Sequence, residues 1–333
     1  MAAPRDGSAH PFDLSEVSFL KFRIFDGARA AYTRVSRGRR DGGQQIGEDA
    51  QTSEHAHVTC PDRRRLVAGL AAAPILRAPM RTASKTDHAM NTSAASAESV
   101  IVFDVNETLL DFSVLGPVFV RIFGDASALH TWFNHVILYS EALTLSGDYA
   151  ESGTVGVAVL RMMAQASGRT VDAADLDELR CRSGQMQTYA DTPKALSDLT
   201  GAGYRLVTLS NNPASAVDAQ LTHAGIRPFF ASLHSIDDRV RRYKPAVESY
   251  TDLAATLGIA PADLWFVSCH AFDTLGAAAA GYRTALVLRP GNAPVGLGRA
   301  PDIVAGDLGT VADRIVQAGA LPGRSPVRAP GTR

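Results

Sequence analysis

Four groups of reactive side chains stand next to the predicted ends of strands or helices in this sequence. The groups are Asp104 with Thr108, Ser210 with Asn211, Lys244 alone, and Ser268 with His270 and Asp273. A carboxylate can act as a nucleophile through an ester intermediate, and a neighbouring cation keeps it ionised by lowering its pKa. Each residue taken singly has an ordinary explanation as a helix cap or turn residue. The chemistry therefore depends on whether the fold brings the groups together.

Short apolar segments precede three of these groups and predict buried parallel strands. The predicted strands are Val100–Phe103, 204–209, 264–267 and 284–288, and helical patterns cover 193–202, 213–224, Val247–Leu257 and 271–280. Strands that alternate with helices predict an α/β fold, here a Rossmann-like parallel sheet covered by helices on both faces. Because ligands bind beyond the carboxyl ends of such strands, we expect the four groups to share one pocket.

Between the first and second strands the pattern is helical only. Apolar residues recur at helical spacing over 128–145, 155–166 and 172–187. Residues 99–112 and 192–320 are thus predicted as the α/β core domain and 113–191 as an inserted helical cap domain. Because this helical insert directly follows the segment that contains Asp104, we expect it to form a lid that closes over substrate. The alternative is that the insert has only a structural role.

The first 98 residues differ in composition from the rest and are predicted to be largely disordered, as is the tail 321–333. Within the extension, Arg63, Arg64 and Arg65 precede a short Ala-rich run, so that the region near 62–78 resembles a twin-arginine export signal. A mis-assigned start is a second interpretation, with Met80 and Met90 as later candidates. We expect a cytoplasmic protein, with periplasmic export as the alternative.

Composition narrows the possible partners. The formal net charge is −1, and the basic residues form no stripe interleaved with aromatic residues, so no nucleic-acid partner is expected. No apolar run reaches the ~20 residues of a membrane span, so no membrane partner is expected either. The three cysteines are too few for a disulfide framework, and no CxxC pair suggests zinc. A small-molecule substrate is expected.

Four segments resemble the haloacid dehalogenase superfamily. They are residues 103–111 (FDVNETLLD), 209–211 (LSN), 243–245 (YKP) and 266–273 (FVSCHAFD), and the resemblance covers about residues 99–320. Phosphatases of that superfamily carry a second Asp two residues after the nucleophile and a metal-binding Asp in the fourth motif. Here Asn106 and Cys269 stand at those positions, and neither supplies the missing proton transfer or a good oxygen ligand.

The subfamily that the chain resembles most is the type II, or L-2-haloacid, dehalogenases. The resemblance implies a metal-independent hydrolase without cofactor, in which Asp104 displaces halide from C2 and water then hydrolyses the Asp104 ester. It implies catalytic roles for Asp104, Thr108, Lys244, Ser268, His270 and Asp273. It implies substrate contacts from Val105, Asn106, Phe133, Asn134, Ser210, Asn211, Tyr250 and Phe272. It also implies a homodimer formed through the cap helices.

Two positions depart from that subfamily. Phe133 aligns with an Arg that guards the halide side of the pocket, and neighbouring Asn134 offers an amide without charge. His270 occupies a position that is often Asn; it is either a base, which Asn cannot be, or a structural residue. The remaining hypotheses are a magnesium-dependent phosphatase, a catalytically silent dimeric binding protein, and an enzyme that opens a strained-ring carboxylate.

Overall fold

The computed structural model describes residues 99–319. The predicted extension 1–98, its export-like region and the tail 321–333 lie outside the described residues. Six strands occur within the described range: β1 (Val100–Phe103), β2 (Arg205–Ser210), β3 (Phe230–Ser235), β4 (Leu264–Ser268), β5 (Arg283–Val287) and β6 (Ile303–Ala305).

Nine α-helices accompany the strands in this part of the chain. They are α1 (Gly116–Phe123), α2 (Ala128–Ser146), α3 (Ser152–Ala166), α4 (Ala173–Ser183), α5 (Thr192–Gly201), α6 (Ala214–His223), α7 (Val247–Leu257), α8 (Ala271–Ala279) and α9 (Leu308–Gly319). Short 3-10 turns join several of them. Between 99 and 319 no single helix is long and apolar enough to cross a membrane, although the bent pair 112–123 and 128–146 passes that test when joined.

All strands are parallel and lie in the order β3-β2-β1-β4-β5-β6. The predicted α/β fold with a parallel sheet is therefore confirmed. Sequence reasoning missed two strands, β3 and β6, because both lie at sheet edges and carry partly exposed residues that interrupt an apolar run. The four predicted strands correspond to β1, β2, β4 and β5, which form the centre of the sheet.

The strand order reverses at β1, which lies between β2 and β4 and is buried along its whole length. Phe103 is level with Thr208 of β2 and with Val267 of β4. The residues that follow these three positions therefore lie side by side at the carboxyl end of the sheet, where open parallel sheets form a binding crevice.

Helices α1 to α4 follow β1 and precede α5, in the segment predicted as an inserted helical cap. The helices predicted at 128–145, 155–166 and 172–187 correspond to α2, α3 and α4 within a few residues. Gly147, at φ 81°, ends α2 in the left-handed conformation that favours glycine, and a reciprocal Asp172–Asp175 capping box begins α4. α2 packs against α3 and brings Phe133 toward the end of β1.

Candidate active site

Asp104 is the first residue after β1 and is only 7% exposed. Its backbone N–H donates to the Val267 carbonyl at 3.0 Å, which continues the β1–β4 ladder by one residue and fixes the direction of the side chain. The Thr108 hydroxyl donates to Asp104 Oδ2 at 2.7 Å. The same hydroxyl accepts from the Cys269 N–H at 3.0 Å, so that Thr108 joins the β1 and β4 loops.

Lys244 reaches Asp104 from the loop before α7 and is 2% exposed. Its ammonium donates to Asp104 Oδ1 at 2.9 Å, to Asp273 Oδ2 at 2.8 Å and to the Leu209 carbonyl at 2.9 Å. These bonds use all three N–H donors of the ammonium. The Lys244 backbone N–H also donates to Asn211 Oδ1 at 3.0 Å, which ties the loop to the end of β2.

The charges at this centre are set by burial and by the shared lysine. Burial by itself raises the pKa of Asp104, but Lys244 and His270 outweigh it and hold that pKa well below its ordinary value. Burial lowers the pKa of Lys244, whereas Asp104 and Asp273 raise it above its ordinary value. Asp104 is therefore an ionised carboxylate beside a stable ammonium at neutral pH.

Asp273 lies behind Lys244 rather than on the substrate side. It is fully buried at 0% exposure, and the Tyr250 hydroxyl donates to its Oδ1. Tyr250 is held in turn by the Tyr282 hydroxyl, which donates to the Tyr250 carbonyl at 2.8 Å. Asp273, for which a catalytic role was predicted, thus holds the lysine and is not among the residues that line the substrate cavity. Tyr250, predicted to contact substrate, supports Asp273 instead.

His270 stands on the other side of Asp104. Its Nδ1 lies 3.3 Å from Asp104 Oδ2, and its Nε2 lies 2.8 Å from Glu107 Oε2. Burial lowers the pKa of His270, but the contacts with the Asp104 and Glu107 carboxylates raise it above its ordinary value. The rings of Phe133 and Phe272 lie 5.3 and 5.2 Å from the imidazole, centroid to centroid.

A cavity of about 60 Å³ opens onto Asp104. Because about 10–15 Å³ of such space holds one water molecule, it suits a molecule of only a few non-hydrogen atoms. Predicted residues that line it are Asp104, Asn106, Phe133, Ser210, Asn211, Lys244, His270 and Phe272. The helices before α5 add an apolar wall of Val136 and Ile137 and two hydroxyls, Ser140 and Ser152.

Six predicted residues do not line this cavity: Thr108, Asp273 and Tyr250, described above, and Val105, Ser268 and Asn134. Val105 is fully buried in the core, and its carbonyl accepts from the Leu109 and Leu110 N–H groups. Ser268 is also fully buried, and its hydroxyl oxygen accepts from the His270 N–H at 3.1 Å, so it orients the histidine loop. Asn134 follows Phe133 on α2 and is absent from the lining.

The cavity lining carries free polar capacity near Asp104. Ser210 Oγ accepts from the Asn212 N–H at 3.0 Å, which leaves the Ser210 hydroxyl hydrogen for another partner. The side-chain oxygen of Asn211 accepts from the Lys244 backbone N–H. The NH2 group of the same side chain therefore remains as a donor for another partner. Asn106 Oδ1 is buried without a hydrogen-bond partner among the described residues. Such groups suit a small polar ligand.

Two residues of this site, Glu107 and Arg289, were not predicted from the sequence. Glu107 lies in the first motif next to the cavity residue Asn106, and its type and position alone do not indicate the contact with His270. Arg289, from the loop after β5, donates from Nε and Nη2 to the Thr108 carbonyl at 3.1 and 2.9 Å and pairs with Asp191 at 2.8 Å. In the sequence, Arg289 is distinguished only by its position directly after a predicted strand, which does not indicate a role in the site.

Acidic, thiol and imidazole groups are close enough here to suggest a metal centre, but their chemistry does not fit magnesium. The Asp104, Asp273 and Glu107 carboxylates are already paired with Lys244 or His270. Burial raises the pKa of the Cys269 thiol, which keeps it protonated and a poor ligand for a hard cation. Lys244 supplies the positive charge that the carboxylates need.

The family model of the haloacid dehalogenase-like hydrolases matches residues 99–281. The chain belongs to this family. It is 31% identical over 206 residues to the (S)-2-haloacid dehalogenase of Pseudomonas sp. (strain YL), which covers 61% of this chain and 88% of the relative. The family predicted from the four motifs is thereby confirmed.

Solved structures of the family superpose on the same part of the chain. The L-2-haloacid dehalogenase from Xanthobacter autotrophicus matches with a TM-score of 0.61 and 25% identity over 67% of this chain and 100% of the other. The same enzyme with chloropropionic acid covalently bound matches with a TM-score of 0.60 and 26% identity, again over 67% and 100%. The described α/β fold with its parallel sheet is the fold of these dehalogenases.

Proposed function

We propose that this hydrolase is a metal-independent 2-haloacid dehalogenase whose nucleophile is Asp104. The observation that carries the proposal is the geometry of Asp104, an ionised carboxylate held by Lys244 at 2.9 Å and facing a small cavity. The relatives named for this activity support it.

In the first step an Asp104 oxygen attacks C2 of the substrate in line with the carbon–halogen bond. A carbon–oxygen bond forms, and the halide leaves with the electron pair of the broken bond. Halide needs no proton to leave, which agrees with Asn106 at a position where a general acid would stand. A fixed, oriented carboxylate in a cavity with apolar walls favours this displacement.

In the second step water attacks the carbonyl carbon of the Asp104 ester and releases the 2-hydroxy acid. The water oxygen remains in the Asp104 carboxylate, and the nucleophile is regenerated. The family structure with covalently bound chloropropionic acid supports an ester intermediate.

The substrate carboxylate lies against the end of β2 in this proposal. The Ser210 hydroxyl and the Asn211 NH2 group are the donors that remain there. Charge repulsion between the substrate anion and Asp104 is offset by the nearby Lys244 ammonium. The aromatic rings of Phe133 and Phe272 then face the halogen, a weakly hydrated group that suits an apolar wall.

We further propose a homodimer in which α2 packs against a second copy. The α2 residues Leu138, Tyr139 and Leu145 are exposed, and Leu145 is 85% accessible. Exposed apolar residues grouped on one helix are typical of interaction surfaces. Light scattering should give the mass of two chains for the wild type, and Leu145→Glu with Leu138→Glu should give one.

The function is tested by incubating the purified protein with L-2-chloropropionate and a metal chelator. Chloride release is expected without metal, and Asp104→Asn should abolish it. Asp148→Asn, at an exposed turn, is the matched control and should retain the rate. Release of phosphate from a chromogenic ester only when magnesium is present, with no chloride release, would instead support a phosphatase.

A further inference from the structure

The cavity wall formed by α2 and α3 is only partly used by the proposed placement of the substrate. Its residues are Phe133, Val136, Ile137, Ser140 and Ser152, none of which is charged. The substrate carboxylate takes the end of β2, and the halogen takes the aromatic rings. The part of the wall that carries Ser140 and Ser152 therefore remains for the carbon chain attached to C2.

Ser140, on α2, carries a buried hydroxyl that lacks a partner. The residue is 1% exposed, and its Oγ makes no hydrogen bond within residues 99–319. The nearby Tyr243 hydroxyl gives its own hydrogen to the Ala150 carbonyl at 2.7 Å, so it does not donate to Ser140. A buried hydroxyl without a partner is unfavourable unless a ligand completes the hydrogen bond.

The first turn of α3 offers further donors at the same wall. Ser152 is the first residue of this 15-residue helix, and its side chain lines the cavity. The first N–H groups of a helix have no acceptor inside it, and the Glu151 side chain that precedes them forms no cap. Such a helix start favours an oxygen atom that accepts hydrogen bonds.

The two helices are held in a fixed position relative to each other and to the site. Trp132 Nε1 of α2 donates to the Gly156 carbonyl of α3 at 2.8 Å, and a Cβ atom at Gly156 would lie only 3.1 Å from the Trp132 ring. The Tyr243 backbone N–H donates to the Thr144 hydroxyl of α2 at 2.9 Å. Because Tyr243 directly precedes Lys244, this wall and the nucleophile centre belong to one rigid arrangement.

We propose that Ser140, Ser152 and the first turn of α3 form a second polar subsite, and that the substrate is a 2-haloacid with a hydroxyl group on C3. A hydroxyl both donates and accepts, so it can bond to Ser140 and to the start of α3 together. This inference rests on the proposed function, whose chemistry at C2 it leaves unchanged. Substrate and water give a 2,3-dihydroxy acid, halide and one proton.

A second carboxylate fits this subsite less well than a hydroxyl. The residues of α2 and α3 that line the cavity include no cation, and the Lys244 ammonium is already shared by Asp104 and Asp273. An unpaired second anion would be costly to bury beside Asp104. The cavity of about 60 Å³ also favours the smaller group.

The test compares chloride release from four substrates by wild-type enzyme, each corrected for the rate without enzyme. They are L-2-chloropropionate, L-2-chlorobutyrate, (S)-2-chloro-3-hydroxypropionate and (S)-2-chlorosuccinate. L-2-chlorobutyrate carries a methyl group where the 3-hydroxy compound carries its hydroxyl, so the two have nearly equal size. We expect kcat/KM to be about 10-fold or more higher for the 3-hydroxy compound than for L-2-chlorobutyrate, because a site that binds a hydroxyl rejects the analogue without it.

Substitutions then locate the preference within the wall. The ratio of the two kcat/KM values is compared, since effects common to both substrates cancel in it. Ser140→Ala should lower this ratio on the order of 10-fold, and Ser152→Ala about threefold, because the N–H groups of α3 remain. Ser146→Ala, at the exposed end of α2, is the matched control and should leave the ratio unchanged.

The melting temperature without ligand separates binding from structure. Ser140→Ala should melt at or above the wild-type temperature, because its hydroxyl has no partner to lose. A lower melting temperature with an unchanged ratio would mean that Ser140 is purely structural, and would overturn the inference.

The remaining outcomes distinguish this inference from the proposed function. Wild-type enzyme that releases chloride from L-2-chlorobutyrate as efficiently as from the 3-hydroxy compound would overturn the inference and leave the proposed function standing. A preference for (S)-2-chlorosuccinate, or a ratio that survives in both Ser140→Ala and Ser152→Ala, would also overturn it. Chloride release from none of the four substrates would overturn the proposed function, and this inference with it.

Discussion

Removal of the Lys244 ammonium is the perturbation whose size the structure defines best. In Lys244→Met a side chain of similar length remains, but Asp104 and Asp273 lose the cation that lies 2.9 and 2.8 Å from them. Two unit charges at about 4 Å and an effective dielectric constant of 20 interact by ~4 kcal/mol. Breaking a buried ion pair by removing one partner destabilises proteins by about 3–5 kcal/mol, because a buried charge is left uncompensated.

We therefore expect Lys244→Met to lower the melting temperature by about 10 °C. Chloride release should fall on the order of 10³-fold or more, because one of the two carboxylates takes up a proton at neutral pH. Differential scanning calorimetry and a chloride assay measure the two effects. Lys194→Met, at an exposed lysine paired with Asp198 on α5, is the matched control and should change neither.

The difference in stability between the wild type and Lys244→Met should depend on pH with a defined sign. In the wild type the pKa of Asp104 is below its ordinary value, so its contribution to stability is present above that ordinary value and is lost as pH falls. In Lys244→Met the buried carboxylate prefers its neutral form, which acid supplies. The stability gap between the two proteins should be widest near neutral pH and narrow below about pH 4. A variant that melts with the wild type and retains chloride release would refute this reasoning.

Three further predictions concern single contacts. Thr108→Val should slow chloride release on the order of 10-fold, because Asp104 and the Cys269 N–H lose their shared hydroxyl partner, whereas Thr108→Ser should retain the rate. Tyr250→Phe should lower the free energy of unfolding in urea by about 1–3 kcal/mol while chloride release changes less, since its hydroxyl holds Asp273 behind the lysine. Phe133→Arg should raise chloride release about 10-fold by placing a cation on the cavity wall; an unchanged rate would contradict the proposed halide side.

The centre of the sheet could be predicted from the sequence because it is encoded in uninterrupted apolar runs. Residues 100–103 and 264–267 are such runs, and parallel pairing in register makes Asp104 and Ser268 neighbours without any knowledge of distances. The convergence of Asp104, Lys244 and Asp273 needed the motifs as well. Lys244 comes from a loop, and its direction is fixed only by contacts made with Asn211 and Leu209 in the folded chain.

The details that sequence could not supply are those that depend on which way a side chain turns. Tyr250 was expected to contact substrate and Asp273 to act in catalysis, but neither lines the cavity: Asp273 accepts hydrogen bonds from Lys244 and from the Tyr250 hydroxyl. The pairing of Glu107 with His270 joins residues 163 positions apart and follows from a left-handed backbone that no local pattern marks. Edge strands β3 and β6 were missed because they are short or partly polar.

The central claim is covalent attack by Asp104, and one measurement addresses it most directly. A single turnover of excess enzyme with L-2-chloropropionate in water enriched in heavy oxygen is followed by digestion and mass spectrometry of the peptide that contains Asp104. We predict one heavy oxygen in the Asp104 carboxylate and ordinary oxygen in the released hydroxy acid. Heavy oxygen in the product with an unlabelled Asp104 would mean that water attacks the substrate directly, and would contradict the account.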